Sequence, residues 1–362
     1  MHADLALIGF GNVARRFADL IDERRQQLAS AYDLTCRIVG IATRRHGAAW
    51  RPDGLDEDLR LMSGGTMEGV ETLHDPATGP IPADSFEVIR RLAGSDADVR
   101  VVVETTTLDR TAGQPAIDHV RAAIAGRCHI VTANKGPAAF AYDALRAEAE
   151  AAGVAFLFEG AVMDGVPIFN LVREALPAVA ISGFRGVVNS TTNHILSALE
   201  DGDDFGPALA RMQAEGIAEA DPSLDIDGWD AAAKTAALAN VLMDARITPQ
   251  HVRRTGIDAQ CGAPARRAKA RGCRLRLVAS AVRHNGEVAA AVQPVELPAD
   301  DLLAGLRGQA NALILQTDLL GEIAICQLSG GLTQTAYALL SDLLTIRRRQ
   351  PARHDAAVRR SP

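Results

Sequence analysis

The stretch "ADLALIGFGNVARRFADLIDERR", Ala3 to Arg25, decides the fold. It opens with a mostly apolar run, and after "GFG" the apolar residues Val13, Phe17, Leu20 and Ile21 recur with a helical period. That order reads strand, tight turn, helix. The turn carries G-x-G-x-x-A at Gly9, Gly11 and Ala14. Gly9 permits the tight turn, Gly11 lets a pyrophosphate approach the backbone, and the small Ala14 lets the helix lie close to the strand. The helix start, at Asn12 and Val13, then presents unpaired amides and a positive dipole end to phosphates. A motif this short also occurs as a mere turn. Its place between the first strand and an amphipathic helix points instead to a dinucleotide.

Working outward, "TCRIVGIAT" (35–43), "DVRVVVETT" (98–106) and "CHIVTAN" (128–134) read as further strands, with a helix over "AIDHVRAAIAG" (116–126). Strands alternating with helices imply a parallel sheet covered on both faces, hence an α/β fold with an N-terminal Rossmann-type dinucleotide-binding domain over 1–150. The second strand ends at Thr43, Arg44 and Arg45 where an NAD site usually places an acid. Two guanidinium groups suit a 2'-phosphate, so NADP is the expected cofactor, with NAD as the alternative if the arginines are only a solvated face. The polar stretch from Arg44 to Leu92 is too long for a simple connection and reads either as a cover over the cofactor or as decoration of the rim.

A helix over "PAAFAYDALRAEAEAAG" (137–153) and a strand over "VAFLFEG" (154–160) precede a change of pattern. "ISGFRGVVNSTTNHIL" (181–196) is a strand entering a helix, and "GWDAAAKTAALANVLMDA" (228–245) is a long helix. "CRLRLVASAVR" (273–283) and "GEVAAAVQPVEL" (286–297) are strand-like. These define a second, α+β domain over 151–310. A strand over "QTDLLGEIAICQ" (316–327) and a helix over "GLTQTAYALLSDLL" (331–344) form a segment, 311–346, expected to return to the first domain. The basic, Pro-interrupted stretch 347–362 reads as a disordered tail.

The chain's 362 residues exceed the usual size of one core, and 48% hydrophobic with 23% charged residues is ordinary for a soluble globular protein. A net charge of -7 argues against nucleic acid or an anionic membrane as the main partner, which leaves a small molecule. The five cysteines are an odd number, widely spaced, with no C-x-x-C pair. They suit free thiols in a reducing compartment. With no signal-like N-terminus and no apolar run approaching about 18 residues, cytoplasm is the expectation.

Three stretches carry polar chemistry. "EGAVMDGVP" (159–167) sets small residues around a carboxylate, and its irregular backbone offers oxygens to a hard cation or is a plain turn. "VVNSTTNHIL" (187–196) places Ser190, Thr191 and Thr192 at a strand-to-helix junction, where they hold a carboxylate or simply cap the helix. His194 beside them reads as structural. In "EADPSLDIDGWDAAAK" (219–234), Asp230 and Lys234 are spaced i, i+4 and share one helix face. The helix beyond Lys234 is apolar nearly all round, so that face is buried, and a buried lysine is costly unless paired or at work. With Glu219, Asp221 and Asp225 just before it, this lysine suits a substrate that carries an ammonium group and a reactive carbonyl.

Together "GFGNVARRF", "VVVETTTLD", "HIVTANKGP", "FEGAVMDGVPIF", "VVNSTTNHIL" and "GIAEADPSLDIDGWDAAAK", and more loosely the segment 317–344, resemble homoserine dehydrogenase, in family order over almost the whole chain. The resemblance implies reversible hydride transfer between NAD(P)H and L-aspartate 4-semialdehyde, giving L-homoserine on the way to threonine, methionine and isoleucine. It implies that Lys234 exchanges a proton with the substrate oxygen, with Asp230 as its acidic partner and Lys135 as a second lysine between cofactor and substrate. Glu219 and Asp225 then contact the substrate amine and hydroxyl, Ser190 and Thr191 lie in the substrate-holding turn, and Thr105 and Thr106 meet the nicotinamide. Glu159, Val162 and Asp164 fall around a monovalent cation, sodium or potassium, held largely by backbone carbonyls. The resemblance also implies a homodimer, with the second domain serving dimerisation. Neither an aspartate kinase nor a C-terminal amino-acid-sensing domain is expected, and so no strong threonine inhibition through one.

Two substitutions depart from the family pattern: "NST" stands where "NGT" is commoner, and "MDG" where many relatives carry smaller residues. Another NADP-dependent amino-acid semialdehyde reductase would keep the glycine turn without needing Glu219, Asp230 and Lys234 together. A non-catalytic dinucleotide sensor would be expected to lose the lysine or its acidic partner.

Overall fold

Strand β1 (His2–Ile8) lies at the centre of a six-stranded sheet, parallel to β2 (Thr35–Ala42) on one side and to β4 (Val99–Glu104) on the other. With the edge strand β3 (Ala48–Trp50) antiparallel to β2, and with β5 (His129–Thr132) and β6 (Phe156–Leu157), the order is β3-β2-β1-β4-β5-β6. The chain reverses its winding between β1 and β4, so a crevice opens beyond their C-terminal ends, where open α/β sheets bind ligands. The structure, a computed structural model, describes residues 1–55, 59, 69–215, 218 and 221–350.

Helix α1 (Asn12–Glu23) buries Phe17, Leu20 and Ile21 of the expected apolar stripe together with Ala14, while Val13 is only half-buried and lines the cleft described below. Helix α2 (Arg25–Tyr32) follows, and the described part of 44–92 contributes elements to this domain. There β3 extends the sheet, and helix α3 (Ser85–Ala93) buries Val88, Ile89 and Leu92. Gly40 on β2 makes this fit possible, since a Cβ there would stand 2.7 Å from Val88 and 2.9 Å from Trp50.

Helix α4 (Ala116–Ala125) matches its expected span. The single helix expected over 137–153 is two, α5 (Lys135–Phe140) and α6 (Tyr142–Ala152). The break at Ala141 leaves carbonyls that a distant side chain satisfies: Asn240 Nδ2 donates to Ala138 and Ala139 at 3.1 and 3.3 Å.

The second sheet has the order β12-β11-β7-β9-β10-β8. Its strands are β7 (Ile181–Val187), β8 (Arg253–Arg254), β9 (Cys273–His284), β10 (Glu287–Pro298), β11 (Asn311–Thr317) and β12 (Gly321–Gln327). Helices α7 (Ser190–Glu200), α8 (Phe205–Ala214), α9 (Trp229–Met243) and α10 (Gly262–Ala270) occur in this half. Residues of α7 and α9 share one core with Leu277, Ala279 and Leu313 of the sheet. Leu303 and Leu306, between β10 and β11, pack with Val278 and Ile314.

The expected strand over 316–327 is instead the second half of a hairpin. Gly321, at φ +70°, turns the chain, and Leu320 N–H donates to the Thr317 hydroxyl at 3.0 Å. Both hairpin strands join the second sheet, so only the following helix, α11 (Leu332–Arg349), reaches the first domain. Its Ala336, Leu339, Leu340 and Leu343 share a core with Phe17, Leu20 and Ile21. Burying each such leucine stabilises by about 2 kcal/mol. The helix runs through Arg347 and Arg349, where a tail was expected. Arg347 pairs with Asp33 at 3.1 Å and Arg349 with Glu174 at 3.0 Å. The remainder of that expected tail, 351–362, lies outside the described residues. Among the described residues no helix is long and apolar enough to cross a membrane.

Candidate active site

Gly9 has φ +87°, and a Cβ on it would meet the Thr105 carbonyl carbon at 2.8 Å. The turn therefore requires glycine. Thr105 N–H donates to Ile8 O at 2.8 Å and its hydroxyl to Gly9 O at 3.0 Å, which joins the ends of β1 and β4. Gly11 has open space where a Cβ would be, and α1 starts on it without a side-chain cap. Its first amides are left for an anion. Gly9 N–H also donates to Ala42 O at 2.9 Å, so the end of β2 lies alongside. Thr43 closes a turn there, its hydroxyl donating to Gly47 O at 3.0 Å, and Arg44 and Arg45 stand exposed on the turn.

A cleft of about 240 Å³ continues from this turn, with Val13, Thr105, Thr106, Lys135, Asp164 and Lys234 in its walls. A larger depression, about 680 Å³, lies beside His2, Arg37 and Asp98 at the N-terminal ends of the strands. It contains the Asp4–Arg37 pair at 2.9 Å. The smaller cleft sits at the C-terminal strand ends and is lined by both Lys135 and Lys234.

Lys234 Nζ is 2.9 Å from Asp230 Oδ2, one helical turn away as the spacing requires, and donates to Val188 O at 2.6 Å. Lys135, from the other half of the chain, reaches the same carboxylate with Nζ 3.1 Å from Asp230 Oδ1. Burial favours neutral forms here, yet the two lysines hold the Asp230 carboxyl well below the usual carboxylate range. Burial pulls the Lys234 ammonium down, but the charge and hydrogen bond of Asp230, with Asp164 and Asp225 nearby, leave it above its ordinary value. Asp225 goes the other way: burial, then the charge of Asp230, raises it.

Asn189 ties these acids to α7. Its Nδ2 donates to Asp225 at 2.7 Å and to Asp230 at 3.1 Å, while its Oδ1 accepts from Thr192 N–H at 2.9 Å and caps the helix. Thr191 is buried and hydrogen bonds to Asp225. Ser190 begins the helix beside it. His194 faces Gly308. Glu219 lies outside the described residues.

Sequence reasoning passed over Asn189 and its counterpart Asn134, which caps α5 just before Lys135. The signal was present in both: an asparagine between the end of a strand and the start of a helix is a preferred cap.

The turn 159–165 has Met163 and Asp164 in the left-handed region, both at φ +52°. Asp164 Oδ1 accepts from the Thr335 hydroxyl at 3.1 Å. Glu159 turns away from the cleft, its carboxylate accepting from the amides of Phe169 and Asn170, each at 2.8 Å. Asp342 on α11 in turn accepts from Glu159 N–H at 2.8 Å. Burial pushes Glu159 up to about 7 and, helped by the charge of Glu159, Asp342 up to about 8. Both folded-state values exceed the unfolded ones, so this stabilisation is fully present below about pH 4 and is lost as pH rises through 7 and 8. Asp342→Asn keeps an acceptor for Glu159 N–H and removes one titration. Its unfolding free energy is expected to fall less than that of wild type between pH 6 and 9, by on the order of 2 kcal/mol. Parallel denaturation curves across that range would contradict this.

Residues 9–159 match the NAD-binding domain of homoserine dehydrogenase, and residues 167–344 match the homoserine dehydrogenase family itself. The NAD(+)-dependent homoserine dehydrogenase of Pseudomonas canavaninivorans is 36% identical over 94% of this chain and 95% of its own. The homoserine dehydrogenase of Methanocaldococcus jannaschii is 35% identical over 95% of this chain and 98% of its own. The crystal structure of a homoserine dehydrogenase from Thiobacillus denitrificans superposes with a TM-score of 0.79 at 29% identity, covering 100% of this chain and 76% of that one. With a glycine turn at the head of a parallel sheet and two lysines on one aspartate at its mouth, the chain belongs to the homoserine dehydrogenase family.

Proposed function

We propose that this protein interconverts L-homoserine and L-aspartate 4-semialdehyde, and that Lys234 is the group that exchanges the proton. The observation that carries this is the arrangement of Lys234 and Lys135 on Asp230 within the cleft that Thr105 and Thr106 also line. A bound nicotinamide dinucleotide supplies or accepts the hydride. Hydride addition to the aldehyde carbon leaves charge on oxygen, and an ammonium held by Asp230 both stabilises that charge and delivers a proton. Asp225 is strained as an anion in the free protein and gains from a ligand hydroxyl or ammonium that donates to it. Ser190 and Thr191, at the start of α7, are assigned to the substrate carboxylate with the helix amides, and Glu219, outside the described residues, is assigned to the amine by family resemblance. Placement in the cytoplasm, in amino-acid biosynthesis and as a homodimer accompanies this reading.

Arg44 and Arg45 support use of NADP, although the Pseudomonas canavaninivorans relative is named for NAD(+). Replacing both by alanine is expected to raise KM for NADP about tenfold and leave KM for NAD within twofold, since one 2'-phosphate contact is worth roughly 1.5 kcal/mol. Equal effects on both cofactors would remove the arginines from 2'-phosphate recognition.

A monovalent cation, sodium or potassium, is proposed beside the turn 159–165. The carboxylates of Glu159 and Asp164 already accept from other groups, so backbone carbonyls such as that of Val162 would hold it. The deciding experiment is initial-rate oxidation of L-homoserine with NADP and with NAD, each with and without sodium or potassium. No turnover under any of these conditions refutes the proposed reaction.

A further inference from the structure

One buried carboxylate under the cleft takes no part in the chemistry above. Glu104 ends β4 and is fully buried. Its Oε1 accepts from Thr106 N–H at 3.0 Å and from the Thr106 hydroxyl, and its Oε2 accepts from the Thr132 hydroxyl at 2.7 Å. The Thr132 oxygen accepts from Asn134 N–H at 2.9 Å, and Asn134 Oδ1 accepts from Gly136 N–H at 2.8 Å, capping the helix that begins at Lys135. Asn134 Nδ2 donates to Thr106 O at 2.9 Å and to the Thr106 hydroxyl oxygen at 3.3 Å. From α4, His119 sets Nδ1 3.9 Å from Glu104 and Nε2 2.8 Å from the Ser85 hydroxyl.

A carboxylate only accepts, so both threonine hydroxyl protons point at Glu104. The Thr106 oxygen, with its proton so committed and one lone pair taken by Asn134, can offer the cleft only its remaining lone pair. A carboxamide N–H is the complementary group, and the Glu104 side chain lies directly below.

We propose that Glu104 is a positioning residue for the nicotinamide end of the dinucleotide: it turns Thr106 into an acceptor for the carboxamide, sets Lys135 through Thr132 and Asn134, and favours the oxidised, cationic ring over the reduced, neutral one. This rests on reading the cleft as the dinucleotide's reactive end. A carboxylate that merely held three hydrogen bonds would affect both redox forms alike.

The test is titration of wild type, Glu104→Gln and Glu104→Asp with the oxidised and the reduced dinucleotide, recording both dissociation constants. Glu104→Gln is expected to weaken the oxidised form relative to the reduced by on the order of tenfold, the effect of removing one charge at short range in a partly screened site. Glu104→Asp restores the ratio while weakening both forms. A folded Glu104→Gln protein whose ratio stays within twofold of wild type overturns the inference. If that variant does not fold, Thr106→Val decides: it is expected to weaken both forms severalfold at constant ratio, and unchanged affinity for both overturns the inference. A wild type that binds dinucleotide without oxidising L-homoserine refutes the proposed reaction instead, so the two failures are distinguishable.

Discussion

Lys234→Ala is expected to lower kcat by about 10²- to 10⁴-fold, the range attributed to a positioned proton donor, with dinucleotide affinity kept within a few-fold. The ammonium sits between Asp230 at 2.9 Å and the Val188 carbonyl at 2.6 Å, so it is oriented before any substrate arrives. Alanine leaves the alkoxide produced by hydride addition without the cation and proton that Lys234 would supply from its largely buried place. The direction of the shift on Lys234 adds a second signature. Because Asp230 holds the ammonium above its ordinary value, the proton is present throughout the neutral range for aldehyde reduction. Homoserine oxidation needs the neutral amine, so its rate should climb with pH into the alkaline range without levelling near neutrality. Steady-state kinetics in both directions, with a cofactor titration, checks both statements. A kcat within a few-fold of wild type removes Lys234 from the chemistry.

Asp230→Ala is expected to cost nearly as much, about 10²- to 10³-fold in kcat, for a different reason. It leaves Lys135 and Lys234 facing one another as like charges with burial unopposed, and one of them gives up its proton. Breaking one side of a largely buried pair also destabilises the fold, here by up to about 3 kcal/mol. The distinguishing readout is the pH profile of homoserine oxidation, which moves to lower pH as Lys234 loses the carboxylate that raised it. Asp230→Asn keeps the shape and should fall between the two proteins. A profile unchanged by either substitution would separate Asp230 from control of the lysine.

Several features were legible because they are local. The strand, glycine turn and helix of residues 3–25 follow from side-chain period and from the one backbone conformation at Gly9 that only glycine accepts. Asp230 and Lys234 meet because residues four apart lie on one helix face. The hairpin at Thr317–Gly321 was missed although its turn residues are local, because the apolar alternation on its far side was read straight through them. The break at Ala141 had no such local signal: it is held open by Asn240 from another helix.

Local sequence was enough for the opening strand, glycine turn and helix, and for the lysine with its first partner, since each is set by neighbours within a few positions. Tertiary structure alone decided that Lys135 shares Asp230, that Asn189 joins two acids, that Glu159 turns to backbone amides, and that Glu104 lies beneath the cleft. Those outcomes depend on which strand ends and helix starts are brought side by side. A side chain's partner across such a junction is chosen by burial and by unmet hydrogen bonds, and neither is written in the spacing of one chain segment.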